Sequence, residues 1–112
     1  MNEKLKRMLG LARKAGCLKF GASAAEFSIK SKKCRLLLLA GDCGGSTKDK
    51  FVHLCEIHGI KCVILSDKKS LGTAVGFPEK AVIAVENEDF AAGMKSAATD
   101  TEVVKYGESE NQ

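Results

Sequence analysis

The stretch Gly41-Asp42-Cys43-Gly44-Gly45-Ser46-Thr47-Lys48 has the composition of a phosphate cradle between a strand and a helix. Glycines let backbone N–H groups approach an anion, and a helix start adds a favourable dipole. Nucleotide chemistry needs Gly-Lys-Ser/Thr in that order, so that the lysine reaches the outer phosphates and the hydroxyl reaches magnesium. Here both hydroxyls precede Lys48, which leaves a turn with Ser46 or Thr47 as helix cap. Asp42 stands at a strand end, where a phospho-acceptor could sit, but no further acids or lysine are marked out beside it. His53 and His58 are five apart on one expected helix and so face different ways, with no nucleophile beside them. Gly72 and Gly76, four apart, suit helix packing and a helix end better than a cofactor turn.

The cysteines Cys17, Cys34, Cys43, Cys55 and Cys62 contain no C-x-x-C pair, which argues against zinc ribbons and thioredoxin-like motifs. They read as reduced, mostly buried thiols, with Cys43 the most exposed. Cys55 and His58 are three apart, but third and fourth metal ligands are missing. No catalytic constellation, metal site or cofactor is expected.

A second kind of chemistry lies in the first third of the chain. Residues 1–35 hold ten Lys or Arg against Glu3 and Glu26, a net of +8, whereas the whole chain of 112 residues carries +4. Such segregation fits an anionic partner, and equally fits a solvated face. Gly21-Ala22-Ser23 opens a helix inside this segment, so its backbone can approach phosphate oxygens closely. Lys19, Lys30, Lys32, Lys33 and Arg35 are the charges expected to hold RNA, with Arg13 and Lys14 as outer contributors. The few aromatic residues mostly occupy expected core positions, which favours folded RNA recognised by shape over an unpaired strand.

These residues need a scaffold. Leu5, Met8, Leu9 and Ala12 recur at helical spacing and predict an amphipathic helix over residues 2–15, with Asn2 as cap and Gly16 as terminator. A doubtful strand at 17–20 and a helix at 23–31 follow. Apolar runs at 35–40, 62–65 and 81–85 then alternate with helices at 46–58, 68–75 and 87–98. Three firm strands, one doubtful strand and five helices imply an α/β domain over residues 1–99, with helices on both faces of a largely parallel sheet. The polar stretch 100–112 is expected to be a disordered tail. The longest apolar run, residues 36–40, is far too short for a membrane span, and the first residues lack a signal peptide's apolar stretch, so a soluble cytoplasmic protein is expected.

Four stretches together resemble the ribosomal protein L7Ae family, and within it the small bacterial YlxQ-type branch. They are Leu9-Gly-Leu-Ala-Arg-Lys-Ala-Gly16, the helix start at Gly21, residues 36–42 followed by Ser46-Thr-Lys48, and Leu71-Gly-Thr-Ala-Val-Gly76 leading into 81–85. The resemblance spans about residues 4–98. It implies a three-layer α/β/α sandwich with a four-stranded mixed sheet, no catalysis, and binding of structured RNA, characteristically the kink-turn, ribosomal RNA among the possibilities; separately, a monomer in the absence of RNA is expected. It further implies RNA contacts from Gly21, Ala22, Ser23, Ala24 and Phe27, and from the loop of Phe77, Pro78, Glu79, Lys80 and Ala81. Archaeal and eukaryotic members carry Gly-Ala-Asn-Glu and a later lysine where this chain has Gly21-Ala22-Ser23-Ala24 and Phe27, and a family glutamate position is Gly44 here. Backbone and phosphate contacts therefore survive the comparison better than base contacts, which carry specificity. The alternative is a protein-interaction module on the same fold with eroded RNA contacts.

Overall fold

The computed structural model of the protein describes residues 1–98 and a strand at residues 104–106. Helix α1 (Glu3–Lys14) leads to β1 (Leu18–Phe20), α2 (Ala22–Lys30), β2 (Leu36–Ala40) and α3 (Gly45–His58). Then come β3 (Cys62–Leu65), α4 (Lys68–Ala74), β4 (Val82–Val85), α5 (Glu88–Ala97) and β5 (Val104–Tyr106). The helix ends follow the expected chemistry. Asn2 accepts from the N–H of Leu5 at 2.9 Å, Asp67 from Ser70 at 2.7 Å and Asn87 from Phe90 at 2.8 Å, so three helices start on side-chain caps. Asn2 also donates to the carbonyl of Ala97 at 2.7 Å, tying the start of α1 to the end of α5.

The strands form one sheet in the order β1-β4-β2-β3-β5. Leu36, Leu38, Ala40, Val63, Leu65, Ile83 and Val85 face α1, α4 and α5, while Leu37, Leu39, Cys62, Ile64, Val82 and Ala84 face α2 and α3. Alternate residues of each strand thus feed two cores, which is why the strands read as unbroken apolar runs. Leu36, Leu37, Leu38 and Leu39 are all fully buried, and each contributes on the order of 1.5–3 kcal/mol of apolar burial.

Two expectations need correction. The sheet is mixed, as the family resemblance implies, and not largely parallel: β2 runs parallel to β3, but β4 is antiparallel to both β1 and β2. The cause is the short α4. Its seven residues span only about 10 Å, and Lys80 N–H returns to the carbonyl of Lys68 at 3.0 Å. The chain therefore re-enters the sheet at the edge where β3 ended, and β4 must run back. Secondly, the 100–112 stretch contributes a strand: β5 pairs antiparallel with β3, Val104 opposite Ile64 and Tyr106 opposite Cys62. That edge of β3 would otherwise present unpaired backbone groups. The remainder of that stretch lies outside the described residues.

Candidate nucleic-acid interface

Because β1, β2 and β3 run parallel to one another and β4 opposes them, one edge of the sheet collects three strand ends and three helix starts. At this edge the β1–α2 turn meets the α4–β4 loop. The N–H of Gly21 donates to the carbonyl of Val82 at 3.0 Å, and Ala40 N–H donates to the carbonyl of Ala81 at 2.9 Å. Gly21 has φ 93° and ψ 164° and offers no side-chain cap, so the first N–H groups of α2 are left for an external acceptor. Gly44, at φ 94°, opens α3 in the same way beside it.

Rings and cations bind the two loops together. Phe20, last residue of β1, lies 5.0 Å from Phe77, centroid to centroid, with the planes tilted by 58°. Arg13 lies 4.6 Å above the Phe77 ring and donates to the carbonyl of Val75 at 2.6 Å. Lys80 Nζ sits 4.3 Å from the Phe77 centroid and 5.7 Å from that of Phe20. Each such contact contributes about 0.5–1 kcal/mol at an exposed site.

Two glycines let α1 and α4 close on this loop. A side chain on Gly72 would collide with the backbone of Glu79, and one on Gly76 (φ 84°) would collide with Arg13. Packing and a turn are the roles expected of both.

The acids of this edge are committed elsewhere. Asp42 accepts from the N–H of Lys68 at 2.8 Å, and the Ser70 N–H holds the Asp67 carboxyl below its usual range, so both stabilise the start of α4. Glu79 pairs with Lys68 at 3.7 Å. The Gly41–Lys48 stretch is thus a turn at residues 41–44, with Asp42 docking α4, followed by the first residues of α3; neither Ser46 nor Thr47 caps that helix, since Gly44 precedes it instead.

The expected site residues fall into two groups. Gly21, Ala22, Ser23, Ala24, Phe77, Pro78, Glu79, Lys80 and Ala81 lie at the loop edge. Phe27 lies one turn beyond Ser23 and Ala24 on α2 and is 70% exposed. Lys19 lies on β1 opposite Ala84, exposed and close to the turn. Lys30, Lys32, Lys33 and Arg35 lie at the other end of the sheet, since the nine residues of α2 carry the chain about 13 Å away. They do not join Gly21. Lys30 is bound to Glu26 at 2.7 Å, and Arg35 is 3.6 Å from Glu88.

Sequence reasoning did not place Phe20 against the Phe77–Ala81 loop and set Arg13 as an outer contributor, whereas both meet Phe77. The available signal for Phe20 was its place directly before Gly21. Met8 and Gly93 pack α1 onto α5, which fixes α1 and hence Arg13. Among the described residues no group of three or more His, Cys, Asp or Glu converges to hold a metal, and no helix is long and apolar enough to cross a membrane.

A three-layer α/β/α domain with a glycine-opened helix beside a cation-and-ring loop defines a class built to present backbone N–H groups and positive charge at one edge. Residues 3–94 match the model of the ribosomal protein L7Ae/L30e/S12e/Gadd45 family, and the chain belongs to that family. It is similar to the RNA-binding protein YlxQ of Bacillus subtilis (strain 168), 26% identical over 84 residues that cover 75% of this chain and 84% of that protein. The Enterococcus faecium protein of the same name is 26% identical over 85 residues, covering 76% and 82%. A solved structure of a protein with unknown function from Bacillus halodurans C superposes with a TM-score of 0.83 at 27% identity, over 85% of this chain and 96% of that one.

Proposed function

We propose that the protein is a non-enzymatic binder of structured RNA of the kink-turn type, acting in the cytoplasm on ribosomal or regulatory RNA, and a monomer until RNA is bound. The observation that carries this reading is the meeting of the Gly21 turn with the Phe77–Lys80 loop: the uncapped start of α2 follows Phe20, whose ring meets Phe77 and the cations Arg13 and Lys80 that Phe77 holds. Phosphate oxygens suit the N–H groups and cations, and unstacked bases suit the rings of Phe20 and Phe77. Both relatives described as RNA-binding proteins support it. With Ser23 and Ala24 at the helix start, affinity rests mainly on backbone and phosphate contacts, and shape supplies the selectivity.

The test is a titration against a kink-turn RNA and a straight duplex of equal length and charge at several salt concentrations. Preference for the bent RNA, with affinity falling steeply as salt rises, is the expected result. Equal, salt-sensitive binding to both would leave a backbone reader and remove the kink-turn. Exposed Phe27 favours a second reading, a protein-interaction module on the same fold, and absence of binding to either RNA would remove the first reading and shift the weight to the second.

A further inference from the structure

The basic residues that the fold separates from the loop edge do not scatter. At the opposite end of the sheet the ends of α2 and α3, the starts of β2 and β3, and α5 enclose an open cleft of about 680 Å³. Lys32, Arg35, Lys61 and Lys95 line it, with His58 beside them and Glu88 as the one acid among the described residues of its lining. We propose that this cleft is a second RNA-binding site, taking the phosphate backbone of an RNA segment other than the one at the loop edge, so that the protein joins two RNA segments.

Three observations carry the argument. First, α2 and α3 both end here, and Lys32, Arg35, Lys61 and Lys95 gather around their terminal carbonyls, with Arg35 paired to Glu88 at 3.6 Å. Second, Lys32 occupies a conformation that favours glycine. The N–H of Lys32 bonds the carbonyl of Ile29 at 3.1 Å and that of Lys33 bonds Ser28 at 3.0 Å, closing α2 with Lys32 at φ 65°. Glycine is the unstrained choice at such a position. A lysine there accepts strain and sets an exposed ammonium at the cleft wall. Third, the cleft is wide and open, with charges contributed by the α2–β2 connection, the end of α3 and the residues after it, and α5, which suits a chain of phosphates better than one small anion. It lies the length of α2 or more from Gly21, at the opposite end of a sheet in a molecule about 30 Å across, so it can take a stretch of RNA apart from the one at the loop edge.

The inference goes beyond the RNA reading of the loop edge, and its test separates the two. The intact protein is titrated with the kink-turn RNA and with the straight duplex, and RNA stoichiometry is read by sedimentation alongside the salt dependence of affinity. Lys32→Gly with Arg35→Gln disables the cleft, whereas Lys80→Glu disables the loop edge. Wild type is expected to hold two RNA segments at low salt. The cleft variant should hold one, with the salt slope reduced by about two, and Lys32→Gly should keep or raise the melting temperature because it relieves strain. The Lys80→Glu variant should still bind the duplex through the cleft. Unchanged stoichiometry and slope in the cleft variant would overturn the proposal even if the loop edge binds RNA. Complete loss of binding in Lys80→Glu would overturn it as well, while an inert Lys80→Glu would count against the loop edge alone.

Discussion

Phe77 and Phe20 stand 5.0 Å apart although one belongs to a loop and the other to a strand end, and Arg13 and Lys80 both lie within 5 Å of the Phe77 ring. The Phe77 ring therefore joins the α4–β4 loop to both β1 and α1. Phe77→Ala is expected to free Arg13 and Lys80 and to weaken RNA binding by about 1–3 kcal/mol, the range for losing a stacked base or its platform. Lys80→Ala, which keeps the rings, should cost less and lower the salt slope by about one. A salt titration of both variants checks this. An unchanged affinity in Phe77→Ala would remove the rings from the interface.

Gly72 presses against the backbone of Glu79, so α4 and the loop are set by a contact that no side chain can enter. Gly72→Ala should destabilise the domain by about 1–3 kcal/mol through overpacking, and shift the loop that carries Lys80. Thermal melting should show a fall of several degrees, roughly 4–8 °C per kcal/mol for a domain of this size. A neutral result would mean the loop gives way freely and is not held at a fixed distance from Gly21.

Much of this arrangement is legible in the sequence because it is local. Asn2, Asp67 and Asn87 each cap the helix that follows, and Leu5, Leu9 and Ala12 mark the buried stripe of α1. What escapes is relative placement. Apolar runs at β2, β3 and β4 look alike whichever way the strands point, because helices cover both faces, so the reversed β4 leaves no local mark. Lys30 to Arg35 are neighbours of Gly21 in sequence, yet one helix length separates them in space. The pairing of Phe20 with Phe77 depends on that same β4 reversal. The family resemblance supplied the mixed sheet and the two loops, since it carries topology that spacing alone does not.

Glu26 sits between two ammonium groups, Lys30 and Lys50, each 2.7 Å from one of its oxygens. Hydrogen bonds from Lys30 and then Lys50 hold its carboxyl down at about 2, well below the ordinary range. A carboxylate depressed in the folded state contributes stability that is present above its unfolded pKa, near 4.3, and is lost as pH falls through the folded value. Wild type should therefore lose stability between about pH 5 and pH 2 along a limb that Glu26→Gln flattens. The two should converge near pH 2, and added salt should narrow the gap at neutral pH because the groups are exposed. Melting curves across that range check it; parallel curves would mean that the α2–α3 pairing contributes nothing to the fold.

The thiols divide by depth, and their reactivity should follow. Cys34, Cys55 and Cys62 are buried in the core under α2 and α3, whereas Cys17 and Cys43 are half-exposed. Burial pushes the Cys34 thiol up to about 12, and a hydrogen bond with Cys62, together with burial, raises that of Cys55. Burial also raises Cys17 and Cys43, but less of their surface is closed to reagent. The thiolate is the reacting species, so a disulfide reagent at neutral pH should modify Cys17 and Cys43 first, slowly and faster as pH rises. The other three should react only at the rate of unfolding, which denaturant would accelerate. Cys55→Ser should cost about 1–3 kcal/mol, since it sets a hydroxyl among Leu37, Leu39 and Phe51, with the Cys62 sulfur as a weak partner. Mass spectrometry of the time course separates the sites. Five thiols reacting at one rate would mean that the α2–α3 layer opens readily from the sheet, and the cleft at the end of those helices would then have no fixed walls.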